Sequence, residues 1–125
     1  MKADLHIHSS CSDGSDTPEA IVVKAKEYGI GAIAVTDHDN VDGVERAVAA
    51  GRKYGVQVVP GLELSTYSIA EVHILGYDVD VHSAPLLERL ERMRAQRKER
   101  IAKILDNLAA MGIKLDASPL DGIKG

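Results

Sequence analysis

The sequence has no tryptophan and no phenylalanine, and four tyrosines are too few to build a base-stacking platform for single-stranded nucleic acid. It has one cysteine, Cys11, so no disulfide can close within the chain. Neither a basic apolar leader nor an apolar run long enough to span a bilayer is present, so a cytoplasmic location and no membrane partner are expected. The four prolines are scattered, which argues against a disordered linker. A formal charge of −4 has the wrong sign for a protein that coats nucleic acid, although a local basic patch remains compatible with it. Histidine is also scarce: there are five, and none follows His82.

The rest of the composition is that of a folded domain. With 125 residues, 45% of them hydrophobic and 27% charged, the chain suits a single core. "ADLHIH" alternates like a short strand. Thr17, Pro18 and Glu19 then supply an N-cap, a first-turn proline and an early acid for a helix from Pro18 to Tyr28, closed by Gly29. "GAIAVTD" is a small and β-branched run of the kind that a strand buried on both faces requires. A second helix is expected from Val41 to Tyr54, ending at Gly55, and "VQVVPGLELS" reads as a third strand. Strands separated by helices of this length pair in parallel with right-handed crossovers, so their carboxyl ends share one face. Beyond them, "ELSTYS" and "EVHILGYDV" read as an antiparallel or bent strand pair. From Ser83 to Met111 a mostly apolar stripe at helical spacing predicts one long helix closed by Gly112. "IKLDASPLDGIKG" carries a further strand-like trace and a possible helix start at Ser118 and Pro119.

The scarce histidines are placed where chemistry is expected. Alternate residues of a strand point to the same side, so His6 and His8 present two imidazoles to one point while Ile7 turns away. Asp13 follows in a Gly- and Ser-rich loop, His38 lies just past the second strand, and Glu63 and His73 fall on the next two. An isolated His-x-His is more often incidental than not, but four of the five histidines sit at strand ends beside an acid. With parallel neighbours all six side chains meet at one rim, and imidazole with carboxylate suits zinc, manganese or iron. Asp4, Asp37 and Asp39 flank these positions, either to hold imidazole tautomers or as capping and loop aspartates. Cys11 reads as a packed small residue and His82 as a surface one.

In order, "DLHIHSSCSDG", "TDHD", "GLELS" and "EVHILGY" resemble the successive motifs of the PHP (polymerase and histidinol phosphatase) family of metal-dependent phosphoesterases. The likeness covers residues 1 to about 115, and the long basic helix is similar to the start of the helical insertion of the nucleotide-phosphatase branch. The resemblance implies an α/β fold: the N-terminal part of a distorted (β/α)7 barrel over residues 1–82, followed by an insertion segment, cut short, over residues 83–125. It implies two to three divalent ions (Mn, Zn or Fe), with His6 and His8 on one, Glu63 bridging it to a second also held by His73, and Asp13 with His38 on a third. A water ionised by these metals would hydrolyse a phosphomonoester or nucleotide, with no protein nucleophile. The partner implied is a small phosphorylated substrate, a nucleotide or a short oligonucleotide. A histidinol-phosphatase-like enzyme, or a metal-binding module without turnover, is the alternative.

The family pattern also holds a histidine after the helical insertion and an Asp-x-His pair near the end of the barrel, and no histidine follows His82 in these 125 residues. A closed α/β barrel needs about 250 residues, so a fragment, or a homo-oligomer if the chain is complete, is expected. On the long helix, seven of the fifteen Lys and Arg residues lie between Arg89 and Lys103. A solvated helix face accounts for most of them, and Arg97, which falls within the apolar stripe, is the candidate substrate contact.

Overall fold

The computed structural model describes residues 1–67, 71–116 and Ser118. The chain runs β1 (Lys2–Ile7), α1 (Pro18–Glu27), β2 (Ile30–Val35), α2 (Val44–Tyr54), β3 (Gln57–Tyr67), β4 (Glu71–Tyr77) and α3 (Ala84–Ala110). The strands form one sheet in the order β1-β2-β3-β4, with β1, β2 and β3 parallel and β4 antiparallel to β3. The architecture is therefore α/β, a four-stranded mixed sheet followed by a long helix. The expected connection at Ile69 and Ala70 lies outside the described residues, as does the proposed helix start beyond Ser118. Residues 113–116, read from sequence as strand-like, form no strand and are exposed.

Local chemistry sets the helix ends. The Thr17 hydroxyl accepts the Ala20 amide at 3.2 Å, and Pro18 occupies the first turn, where its missing N–H costs no hydrogen bond. Helix α2 begins at Val44 and not at Val41, because Asn40–Asp42 are used in a turn: the Asn40 side-chain oxygen accepts the Asp42 amide at 2.8 Å. It closes on Gly55 in the left-handed conformation, with φ of 73°, which glycine adopts without strain.

One face of the parallel strands is dry. Ile33 and Val35 of β2 pack against Ile21, Val22 and Ala25 of α1 and Ala47 and Ala50 of α2, with Val56 at the edge. Ala32 to Val35 are all buried, as the continuous apolar run requires. A second cluster, Val41, Val44, Leu62 and Leu90, seats the beginning of α3, and Leu90 is the one buried residue of that helix. Pro60 sits where β3 changes partners: residues 57–60 pair with β2, and pairing with β4 starts at Gly61. A proline is tolerated where a ladder ends. Among the described residues no helix is long and apolar enough to cross a membrane.

Candidate metal centre

The carboxyl ends of the parallel strands gather the six residues singled out from sequence. His6 lies on β1, and His8 one residue past its end. His38 follows β2 and forms an isolated parallel bridge with Glu63 on β3, while His73 on β4 pairs across from Ser65. This register puts His73 diagonal to Glu63 on the same side of the sheet. Asp13 reaches the rim because the loop after β1 folds back on itself: the Ser12 and Gly14 amides both donate to the Ser9 carbonyl, at 3.0 and 2.9 Å. A side chain at Gly14 would collide with the His8 carbonyl, so the return needs glycine there.

Glu63 is the hub. Its carboxylate is 5% exposed, with His6 Nε2 at 3.0 Å and His8 Nε2 at 2.9 Å from Oε2, and His73 Nδ1 at 2.9 Å from Oε1. His38 Nδ1 stands 3.7 Å from Oε2. The Asp13 carboxylate lies 3.1 Å from His8 Nδ1 and 3.6 Å from His38 Nε2. The four imidazoles stand in a row, His6 to His8 to His38 to His73, with ring centroids 5.1, 4.5 and 5.0 Å apart.

Two features of this packing fit a cation better than a hydrogen-bonded cluster. His6 Nε2 and His8 Nε2 are 3.0 Å apart and crowd the same carboxylate oxygen. That is about the separation of adjacent donors on an ion with bonds of about 2.1 Å. His8 Nδ1 and His38 Nδ1 are buried without a hydrogen-bond partner, and for His8 this holds even though Asp13 is near, because the angle is poor. A buried nitrogen left unsatisfied is costly, and a metal ligand is one of the states in which its lone pair is used. Three trios have donor atoms all within 4.8 Å of one another: His6, His8 and Glu63; His8, Asp13 and His38; His38, Glu63 and His73. Burial, the largest influence, pushes the His38 imidazole below its ordinary pKa against the pull of the Glu63 charge, which favours the neutral form that binds metal. Burial pushes Glu63 upward, but its hydrogen bond with His6 and the nearby imidazoles outweigh this and hold it below the usual value.

The flanking aspartates have other partners. Asp4 accepts the His6 backbone amide at 3.3 Å, not its ring. Asp37, 1% exposed, accepts the Ser9 amide at 2.6 Å and the Ser9 and Ser12 hydroxyls at 2.7 Å each, so it staples the Asp13 loop to the end of β2. Asp39 takes the Ser65 amide at 2.9 Å and Arg97 Nη2 at 2.8 Å. The partners of these three carboxylates are backbone amides, serine hydroxyls and a guanidinium. Arg97 lines a cavity of about 290 Å3 beside α3, together with Arg89, Met93, Gln96 and Arg100. Cys11 is buried, and His82 is exposed beside Glu45 at 3.2 Å. Sequence reasoning missed the work of Ser9, Ser12 and Asn40, whose side-chain amide donates to the Cys11 carbonyl at 2.7 Å. A cluster of serines and asparagine between strand and helix signals a loop, but not which backbone groups it will satisfy.

Comparison with known proteins assigns the chain to a family. Residues 4–114 match the family model of the PHP domain. The chain is 39% identical over 120 residues to the phosphoribosyl 1,2-cyclic phosphate 1,2-diphosphodiesterase of Eggerthella lenta, covering 93% of this chain and 45% of that protein. It is 35% identical over 111 residues to the 3',5'-nucleoside bisphosphate phosphatase of Chromobacterium violaceum, covering 88% of this chain and 39% of that one. A solved structure from Bifidobacterium adolescentis, described as a metal-dependent phosphoesterase, superposes with a TM-score of 0.79 at 26% identity, over 87% of this chain and 39% of that one. The chain thus spans less than half the length of the curated relatives it matches.

Proposed function

The chain belongs to the PHP domain family, and from that premise we propose that it carries the first metal-binding motifs of a phosphoesterase acting on a small phosphorylated substrate of the nucleotide or ribose-phosphate kind. The observation that carries this reading is the convergence of four imidazoles on the buried Glu63 carboxylate, with Asp13 against two of them, in three overlapping trios. Residues 1–82 are then the N-terminal half of a distorted seven-stranded barrel, and residues 83–125 the start of a helical insertion. Both relatives act, by their names, on phosphate esters of ribose compounds.

In this reading His6, His8 and Glu63 hold one divalent ion. Glu63 and His73 would hold a second, and Asp13 with His38 a third, so that each neutral imidazole would use its single lone pair once. Bound divalent ions supply Lewis-acid polarisation of a phosphoryl oxygen and a water acidic enough to ionise near neutral pH. The protein groups do the rest. Glu63 lies in two of the trios and fixes their spacing from a strand interior, while neutral imidazoles donate without adding charge. Asp37 keeps Asp13 folded back over the rim through Ser9 and Ser12. None of these side chains needs to attack phosphorus itself.

The test is metal analysis of the 125-residue chain, joined to hydrolysis of an aryl phosphate and of a nucleoside bisphosphate in manganese or zinc. Two or more ions per chain, with turnover lost in His8→Ala, is the expected result. One weakly held ion and no turnover with either metal would sink the enzyme reading and favour a metal-binding module.

A further inference from the structure

We propose that Asp39, held by Arg97, is a positioning residue that fastens the long helix α3 to the metal rim and keeps His38 and Glu63 in register. Asp39 is 2% exposed and adopts φ of 46°, in the left-handed region that non-glycine residues rarely occupy. This conformation lets one residue grip β3 at two points, Glu63 and Ser65. The Asp39 amide donates to the Glu63 carbonyl at 2.9 Å, and Asp39 Oδ1 accepts the Ser65 amide at 2.9 Å. On the other side of His38, the Asp37 carbonyl accepts the Glu63 amide at 3.0 Å. His38 and Glu63 are thus bracketed by the same short stretch of chain.

A carboxylate buried this deeply requires a counter-charge, and α3 provides it. Arg97 Nη2 donates to Asp39 Oδ2 and to Ser65 Oγ, each at 2.8 Å, and Arg94 Nη1 reaches the Asp39 carbonyl at 3.5 Å. Leu90 seats the helix about two turns earlier, in the cluster with Val41, Val44 and Leu62. Arg97 is therefore engaged in bonds that shape the rim. Movement of α3 at this point is transmitted to Asp39 and Ser65, which are hydrogen-bonded to each other beside Glu63.

The inference rests on the metal reading above, and the test separates the two. Cobalt(II) is titrated into the 125-residue chain and its Arg97→Met, Arg97→Lys and Arg92→Met variants, following the visible absorption band. Exchange of the Ser65 amide is measured on the metal-free proteins. Arg97→Met is expected to weaken cobalt binding about tenfold, the low end for groups that orient metal ligands, to shift the band, and to speed exchange at Ser65. Arg97→Lys should restore most of the affinity, because an ammonium has donors for both Asp39 and Ser65. Arg92→Met, which removes an exposed charge from the same helix, should bind as the parent does. Loss of a cation by itself would tighten the binding of a second cation, so the sign of the Arg97→Met effect is decisive. Unchanged or tighter cobalt binding in Arg97→Met, or unaltered exchange at Ser65, overturns the proposal. A parent chain that takes up no cobalt, with Ser65 still loosened in Arg97→Met, overturns the metal reading and leaves the tie standing.

Discussion

The same three parallel strands serve two regions of opposite character. On the face covered by α1 and α2, Ile33 and Val35 lie in a cluster of hydrophobic side chains. At the carboxyl rim a few residues further on, the buried groups are Thr36, Asp37, Asp39, Asn40 and Glu63. The first region holds by area removed from water, is insensitive to direction, and tolerates exchange of one aliphatic side chain for another of similar volume. The second holds only if every donor finds its acceptor, because an unpaired buried polar group costs more than a pair contributes. Stability and chemistry are therefore assigned to different ends of one element, and substitutions should separate them.

The largest separation is expected at Glu63. Glu63→Gln should reduce metal binding by about a hundredfold or more in a metal titration, since it exceeds the effect of altering a group that merely orients a ligand. The melting temperature of the metal-free protein should stay close to that of the parent. Ile33→Ala should do the reverse, losing about 2–5 kcal/mol in urea unfolding while the folded molecules bind metal as before. Asp37→Ala tests whether the regions are truly separable. It leaves the buried Ser9 amide and two hydroxyls without their acceptor, at about 1–3 kcal/mol for an unsatisfied group. It should weaken the site that uses Asp13 and spare the one formed by His6, His8 and Glu63, which two-step metal titration would resolve.

Smaller effects belong to the helix-covered side. Thr17→Ala should cost about 1 kcal/mol, read from the urea midpoint, through the lost cap of α1. The smallest is the exposed tie between α1 and α2, where Arg46 donates to both Glu19 oxygens at 2.8 Å. That hydrogen bond holds Glu19 below the usual carboxylate range. A depressed folded-state pKa adds stability that is complete above the ordinary Glu value of about 4.3 and is lost as pH falls through the folded value. Glu19→Gln should therefore lower the melting temperature slightly at pH 7 and leave it unchanged in strong acid.

Much of the carboxyl rim is legible in the amino-acid sequence because its side chains obey short-range rules. Two-residue spacing on a strand aims His6 and His8 alike, and parallel crossovers send the three strand ends to one side. His38 and Glu63 fall at that rim for the same reason, and the antiparallel pairing of β4 with β3 brings His73 there. The roles of Asp37 and Asp39 are not legible in this way. Both stand in "TDHD" one residue from His38, yet one accepts from a loop 28 residues earlier and the other from a helix 58 residues later. The start of α2 is hidden too, because Val41 fits the apolar period while the Asn40 side chain competes for the local amides and delays the helix.

By itself the sequence determined the order of strands and helices, the buried character of β2, and the identity of the six side chains at the rim, since each depends on periodicity, capping and turn chemistry within a few residues. Tertiary structure alone decided that Glu63 would be the shared centre of four imidazoles, that Asp37 would hold the Asp13 loop, and that Arg97 would be bound to Asp39. Those outcomes depend on distances between segments far apart in the chain, and such distances exist only once the strands are in register and the helix is seated.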